Sequence, residues 1–322
     1  MKIGTRSSAM ALAQTEEIVR QVQAADPLSR PSLVRFKPSG DVDQVSKLDR
    51  HGGKGGAFVG EIRAAMMGGE LECAMHSLKD MPGDEEAPGL VIAAMLKRDP
   101  PEDVMAIKPG LSIEDVTGTK AAGLKIGTNA VRRVAYLKRL FPEAEIIHFR
   151  GAADTRLKKL DEGLMQKLPD GGEIGPADAL VMARSGLERI GRADRIAHVF
   201  SHEEMLPAVG QGIVAVECPT AHWETRARLA LIDDQETRTC GEAERQMLWI
   251  LNGHCNSPIA GHAYLQGATL HLKGAVISLD GMMVIEAEGS GPADRPLELG
   301  RQIGFELLDR GGAALISAAR LD

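Results

Sequence analysis

Leu71-Glu72-Cys73-Ala74-Met75-His76-Ser77-Leu78-Lys79-Asp80-Met81-Pro82 alternates apolar side chains at Leu71, Cys73 and Met75 and then turns polar. The alternation predicts a strand. In an open α/β sheet, ligands gather beyond the carboxyl ends of strands, so Lys79 and Asp80 stand where chemistry is usually done. Pro82 stops the chain from continuing as strand or helix. The bland alternative is an ion pair on a solvated loop.

Upstream, Lys2-Ile3-Gly4-Thr5 reads as a short strand, and residues 9–24 read as a helix with Leu12, Val19 and Val22 on one face. Ser7 or Ser8 caps that helix. Beside Arg6, the free N–H groups of the helix start form a carboxylate or phosphate site, or the pair is a plain cap and a solvated arginine. Leu33-Val34-Arg35-Phe36 is a second strand. Glycines 52, 53, 55 and 56 surround Lys54 in a loop that either brings amides to an anion or serves as a connector. No Gly-Lys-Ser or Gly-Lys-Thr closes it as a P-loop requires. Phe58 to Met67 resumes a helical pattern.

Downstream, Leu90 to Leu96 is a strand, and Arg98-Asp99-Pro100-Pro101 marks a crossing into a second domain. There the order repeats. Leu124-Lys125-Ile126 is a strand, Gly127-Thr128-Asn129 a turn, and Val131, Val134, Leu137 and Leu140 a buried helical stripe. Arg132 and Arg133 fall in that helix's first turn, where the macrodipole disfavours cations, so either an anion is expected or both are solvated. Ile146 to Phe149 is a strand that turns through Arg150 and Arg156 into a helix. Gln166 to Pro176 is turn-rich and reads as a surface excursion. Ala179 to Ala183 is a buried strand, and Leu206 to Gly212 leads into a strand over 213–218 that returns to the first sheet.

From about Arg226 the pattern changes to a helix over 242–251, strands with turns at Gln266-Gly267 and Asp280-Gly281, and a closing helix over 297–308. This is a third, α+β domain. At its start Cys255 lies on a loop beside His254, which favours the reactive thiolate. His254, Cys255 and His262 match no usual zinc spacing, so no metal is expected.

A chain of 322 residues suits two or three domains. Its net charge of −7 and 3% aromatics argue against a nucleic-acid partner. No apolar run approaches the roughly 20 residues of a membrane span, and Met1-Lys2-Ile3-Gly4 lacks a signal-peptide pattern, so we expect a cytoplasmic protein with no membrane partner. Four cysteines are too few and too scattered for a disulfide scaffold. Against the acidic background, Arg6, Lys79, Arg132, Arg133, Arg150 and Arg156 recur at strand ends and helix starts, which points to a small polyanionic ligand.

Thr5-Arg6-Ser7-Ser8 with Ala11-Leu12-Ala13-Gln14, Gly52-Gly53-Lys54-Gly55, His76 to Pro82, Leu206 to Gly212 and the Cys255 loop together resemble the porphobilinogen deaminase (hydroxymethylbilane synthase) family, over most of the chain and in the family's order. The resemblance implies an α/β protein of three domains. Two are doubly wound lobes of the type II periplasmic-binding-protein kind, at 1–98 with 208–225 and at 99–207, and the third is a small α+β domain at 226–322. It implies a transferase that deaminates and condenses four porphobilinogen molecules on a dipyrromethane cofactor attached through Cys255, then hydrolyses off a linear tetrapyrrole. Asp80 would be catalytic. Lys79, Ser77, Thr128, Arg132, Arg133 and Arg156 would hold the cofactor; Arg6, Ser8, Gln14, Lys54, Arg150, Arg189 and Gln211 would hold substrate in a monomer.

Departures from the family pattern are Thr128-Asn129-Ala130 for Thr-Ser-Ser, Ala152 for an asparagine after Arg150-Gly151, a longer glycine loop after Lys54, His254 before Cys255, and the excursion at 166–176. The alternatives are a non-catalytic binding module for a polycarboxylate, which leaves Cys255 unexplained, and a cysteine hydrolase, which needs adjacent residues to face each other.

Overall fold

The structure, a computed structural model, describes residues 1–36, 56–83, 87–168, 170–253 and 257–321. The first lobe runs β1 (Lys2–Arg6), α1 (Ala9–Ala25), β2 (Ser32–Phe36), α2 (Gly56–Met67), β3 (Cys73–Ser77) and β4 (Leu90–Met95). The second runs β5 (Asp103–Ile107), α3 (Ile113–Gly118), β6 (Lys125–Thr128), α4 (Val131–Leu140), β7 (Glu145–His148), α5 (Ala153–Asp161), β8 (Gln166–Lys167), β9 (Glu173–Ile174), β10 (Ala179–Ala183), α6 (Arg184–Arg189) and β11 (His198–Val199). β12 (Val214–Pro219) then pairs antiparallel with β3 and β4, completing the order β2-β1-β3-β12-β4. The second sheet has the order β11-β5-β10-β6-β7.

The opening stretch is the middle of a layered core. Cys73 and Met75 pack with Ile18 and Val22 of α1 on one face. Ala74 packs with Ile62 and Met66 of α2 on the other. Helices thus cover both faces of a largely parallel sheet, the doubly wound arrangement. Parallel pairing of β1 with β3 and of β6 with β7 points the carboxyl ends of these strands toward the space between lobes.

Two segments cross between the lobes and bond to each other: Asp99 N donates to Gly212 O at 3.1 Å, and Leu96 N to Val214 O at 2.9 Å. Gly212 has φ +89°, and a Cβ there would lie 2.3 Å from the Asp99 carbonyl oxygen, so only glycine fits the crossing.

The third unit runs α7 (Trp223–Leu229), α8 (Gln235–Ile250), β13 (Ile259–Gln266), β14 (Thr269–Ile277), β15 (Val284–Pro292), α9 (Pro296–Asp309) and α10 (Gly312–Leu321), with the three strands antiparallel. α8 starts seven residues earlier than the apolar pattern implies, because Asp234 accepts from Thr237 N at 2.8 Å and caps a polar first turn. β5 went unread in the sequence; it enters the second sheet antiparallel to β10 and carries Asp103. The excursion at 166–176 is not simply surface: it forms the β8–β9 hairpin, and Gln166 is buried.

Candidate active site

Chain direction gathers the cations. β1 ends at Arg6, β3 at Ser77 with Lys79 and Asp80 in the following 3-10 turn, β6 at Thr128, and β7 just before Arg150. A narrow cleft between the lobes is lined by Met10, Ser77 and Lys79 from the first lobe and by Ser185, Gly186 and Arg189 from the second.

Asp103 is the charge that the sequence reading missed. It is fully buried, and its carboxylate lies 2.6 Å from Arg132 Nη2 and 2.8 Å from Arg133 Nη2. Burial opposes its ionisation, but Arg132, Arg133 and the Gln211 amide outweigh burial and hold the carboxyl at about 2. The anion expected at the first turn of α4 is therefore supplied at least in part by the protein, and neither arginine is a solvated surface charge.

Gln211 connects this pair to Lys79. Its Oε1 accepts from Lys79 Nζ at 3.1 Å and Arg133 Nη2 at 3.4 Å, while Nε2 donates to Pro101 O at 2.7 Å and Asp103 Oδ1 at 3.0 Å. The amide's hydrogen-bonding capacity is taken up internally, which makes Gln211 a strut across the crossing segments instead of the substrate contact expected from sequence. Burial lowers the Lys79 ammonium to about 8, helped by Arg133 and opposed by Asp80 and Asp103. Asp80 is half-buried, and its charge reaches both Lys79 and Arg133.

Other expected residues divide. Ser8 is the N-cap of α1, accepting from Ala11 N at 3.3 Å. Gln14 donates to Ser77 Oγ at 3.2 Å, tying α1 to the end of β3. Arg189 pairs with Asp99 at 2.6 Å and donates to Gly212 O at 2.8 Å, so its position is at the crossing segments. Arg6 ends β1 half-buried, and Arg150 is buried beyond β7. Lys54, Cys255 and His254 lie outside the described residues.

Arg156 and Thr128 are different from these. Arg156 Nε and Thr128 Oγ1 are buried with no hydrogen-bond partner among the described residues. Burial, reinforced by Arg133, lowers the Arg156 guanidinium to about 10. Unpaired buried donors of this kind are costly unless a ligand completes them. The remaining described cysteines are poor nucleophiles: burial raises the Cys218 thiol to about 11, the Cys240 thiol to about 12 and the Cys73 thiol further. Among the described residues, no group of three or more His, Cys, Asp or Glu could hold a metal ion, and no helix is long and apolar enough to cross a membrane.

Residues 1–227 match the family model described as porphobilinogen deaminase, dipyromethane cofactor binding domain, and residues 238–309 match the C-terminal domain of the same enzyme. The chain belongs to the porphobilinogen deaminase family. Family relatives include porphobilinogen deaminase 2 of Streptomyces coelicolor, 38% identical over 98% of this chain and 96% of the relative. Porphobilinogen deaminases of Stenotrophomonas maltophilia (38% identical, 98% of this chain and 99% of the relative) and Syntrophobacter fumaroxidans (36%, 98% and 96%) are similar to it in the same way. The methionine-binding protein MetQ aligns over 83% of this chain and 98% of its own, at 13% identity and a TM-score of 0.40.

Proposed function

We propose that this chain is a hydroxymethylbilane synthase that condenses four porphobilinogen molecules head to tail and releases the linear product by hydrolysis. The observation that carries the reading is the pair Arg156 Nε and Thr128 Oγ1, buried without a hydrogen-bond partner among the described residues and set among the buried Arg132, Arg133 and Arg150. These residues fit a carboxylate-bearing pyrrole chain, since each ring of such a chain brings acids that guanidinium groups pair bidentately.

Dipyrromethane bound through Cys255 would supply the free pyrrole α-carbon from which the product grows. Arg156 would pair its carboxylates, Arg132 and Arg133 would add the charge that their shared Asp103 leaves over, and Lys79, Ser77 and Thr128 would be further donors. Arg6, Arg150 and Lys54 take those of the incoming substrate. Asp80 accepts the pyrrole N–H and stabilises the cation left on the substrate as ammonia departs, its carboxylate facing the charge that develops. With a pKa near 8, Lys79 is mostly protonated at neutral pH and serves as an ammonium toward carboxylate. We assign residues 1–98 with 208–225, 99–207 and 226–322 to the three domains, and place the protein in the cytoplasm as a monomer.

Intact mass of the purified protein tests the reading, with Cys255→Ser as control. We expect added mass equal to two linked pyrroles in the parent and none in the control. An unmodified mass that persists after incubation with porphobilinogen would overturn it.

A further inference from the structure

Gln166 opens the β8–β9 hairpin yet is only 2% exposed, because its side chain turns back to the segment that carries Arg150. Its Oε1 accepts from the backbone N–H of Arg150 at 3.0 Å and from Lys159 Nζ at 3.0 Å. Lys159 also donates to the Arg150 carbonyl at 3.3 Å and lies over the Phe149 ring, 5.6 Å from its centroid. Gln166 Nε2 donates to Lys167 O at 2.9 Å, which fixes the amide end that faces Arg150.

The turn over 150–152 has little support of its own. Ala152 is the N-cap of α5 and supplies no side-chain cap, and Gly151 sits at φ +126°, a conformation glycine adopts without holding it. A buried backbone N–H must find a partner, and that of Arg150 finds one sixteen residues downstream. The hairpin fixes the donor site: Gln166 registers with Ile174, whose side chain packs on the second lobe's core.

We infer that Gln166 is a positioning residue, which clamps the Arg150 N–H and Lys159 so that Arg150 is presented to substrate carboxylates and Arg156, on the helix that follows, to those of the cofactor. The inference rests on the proposed function for what those arginines bind, but not for the clamp itself. Gln166→Met removes the acceptor at similar length, whereas Gln166→Glu keeps it beside the Lys159 ammonium and loses only the Nε2 donor to Lys167 O.

In the purified holoenzyme, we expect Gln166→Met to raise KM for porphobilinogen roughly five- to tenfold, the scale of one lost buried hydrogen bond, while kcat changes less than about twofold. Deuterium exchange in the peptide spanning 149–156 should speed up. Gln166→Glu, which retains the acceptor, should lose clearly less than Gln166→Met in both readouts. Parent-like KM and exchange in Gln166→Met would overturn the inference, as would equal losses in both variants that follow the thermal midpoint. A parent protein that makes no tetrapyrrole would remove the proposed function, and the exchange experiment would still decide whether Gln166 holds the turn.

Discussion

Glu244 is a buried charge and Arg156 a half-buried one with a buried Nε, and the protein treats them in opposite ways. Glu244 is fully buried on α8, and Arg98 reaches it at 2.5 and 3.3 Å while Gly210 N and Ala263 N each donate to it at 2.7 Å. Arg98 Nε also donates to Gln211 O, so one carboxylate joins the crossing segments to the third unit. Arg156 has an orphaned Nε and cationic neighbours. A charge network that holds domains together closes on itself, whereas one that serves a ligand stays incomplete, because donors already satisfied offer little net gain to an incoming anion.

That contrast can be broken in order of expected effect. Asp80→Ala should lower turnover by about 10³-fold, or about 4 kcal/mol of barrier, with the thermal midpoint retained; full activity in the variant would remove Asp80 from the chemistry. Glu244→Ala should cost about 3 kcal/mol in urea unfolding, since it strips Arg98 of its carboxylate and leaves Gly210 N and Ala263 N without their acceptor. A change below about 1 kcal/mol would mean the network is not closed in solution.

Two histidines at the same junction give a pH dependence. His202 and His262 pack edge to face at 4.5 Å, and His202 Nε2 and His262 Nδ1 have no hydrogen-bond partner among the described residues. Burial lowers both imidazoles, His262 to about 2 with Arg98 and His202 adding to the effect, while Glu102 and Glu203 partly offset it for His202. A folded-state pKa below the unfolded value means that the unfolded chain binds the proton first. Their contribution is therefore complete above about pH 6.5 and lost as pH falls, by up to about 2 kcal/mol for a histidine at pH 5. Unfolding midpoints at pH 7 and 5 should converge in the His202→Asn, His262→Asn double variant, and an unchanged gap would refute the assignment.

The smallest stability effect should also have the opposite sign. Arg156→Met removes a half-buried cation whose Nε is incompletely partnered, so unfolding free energy should stay level or rise by about 1 kcal/mol while the fraction of protein carrying the two-pyrrole mass falls. A loss of several kcal/mol would place Arg156 with Glu244, among the closed charges.

The sequence by itself determined the alternating strands, the order of helices, and the placement of Lys79, Asp80, Arg132, Arg133, Arg150 and Arg156 at strand ends, because periodicity and strand direction are local properties. It also carried the family motifs from Arg6 to Gln211. It could not rank the arginines. Asp103 lies 30 residues from Arg133, Glu244 lies 146 from Arg98, and Gln166 lies 16 from Arg150. A carboxylate or amide at such separations has no local pattern that names its partner. Only tertiary packing decided that Arg132 and Arg133 share Asp103, that Gln211 spends its amide between the lobes, and that Arg156 is left incomplete. The physical reason is that desolvation and pairing act through space, so the cost of a buried charge is fixed by the chain segments that fold against it.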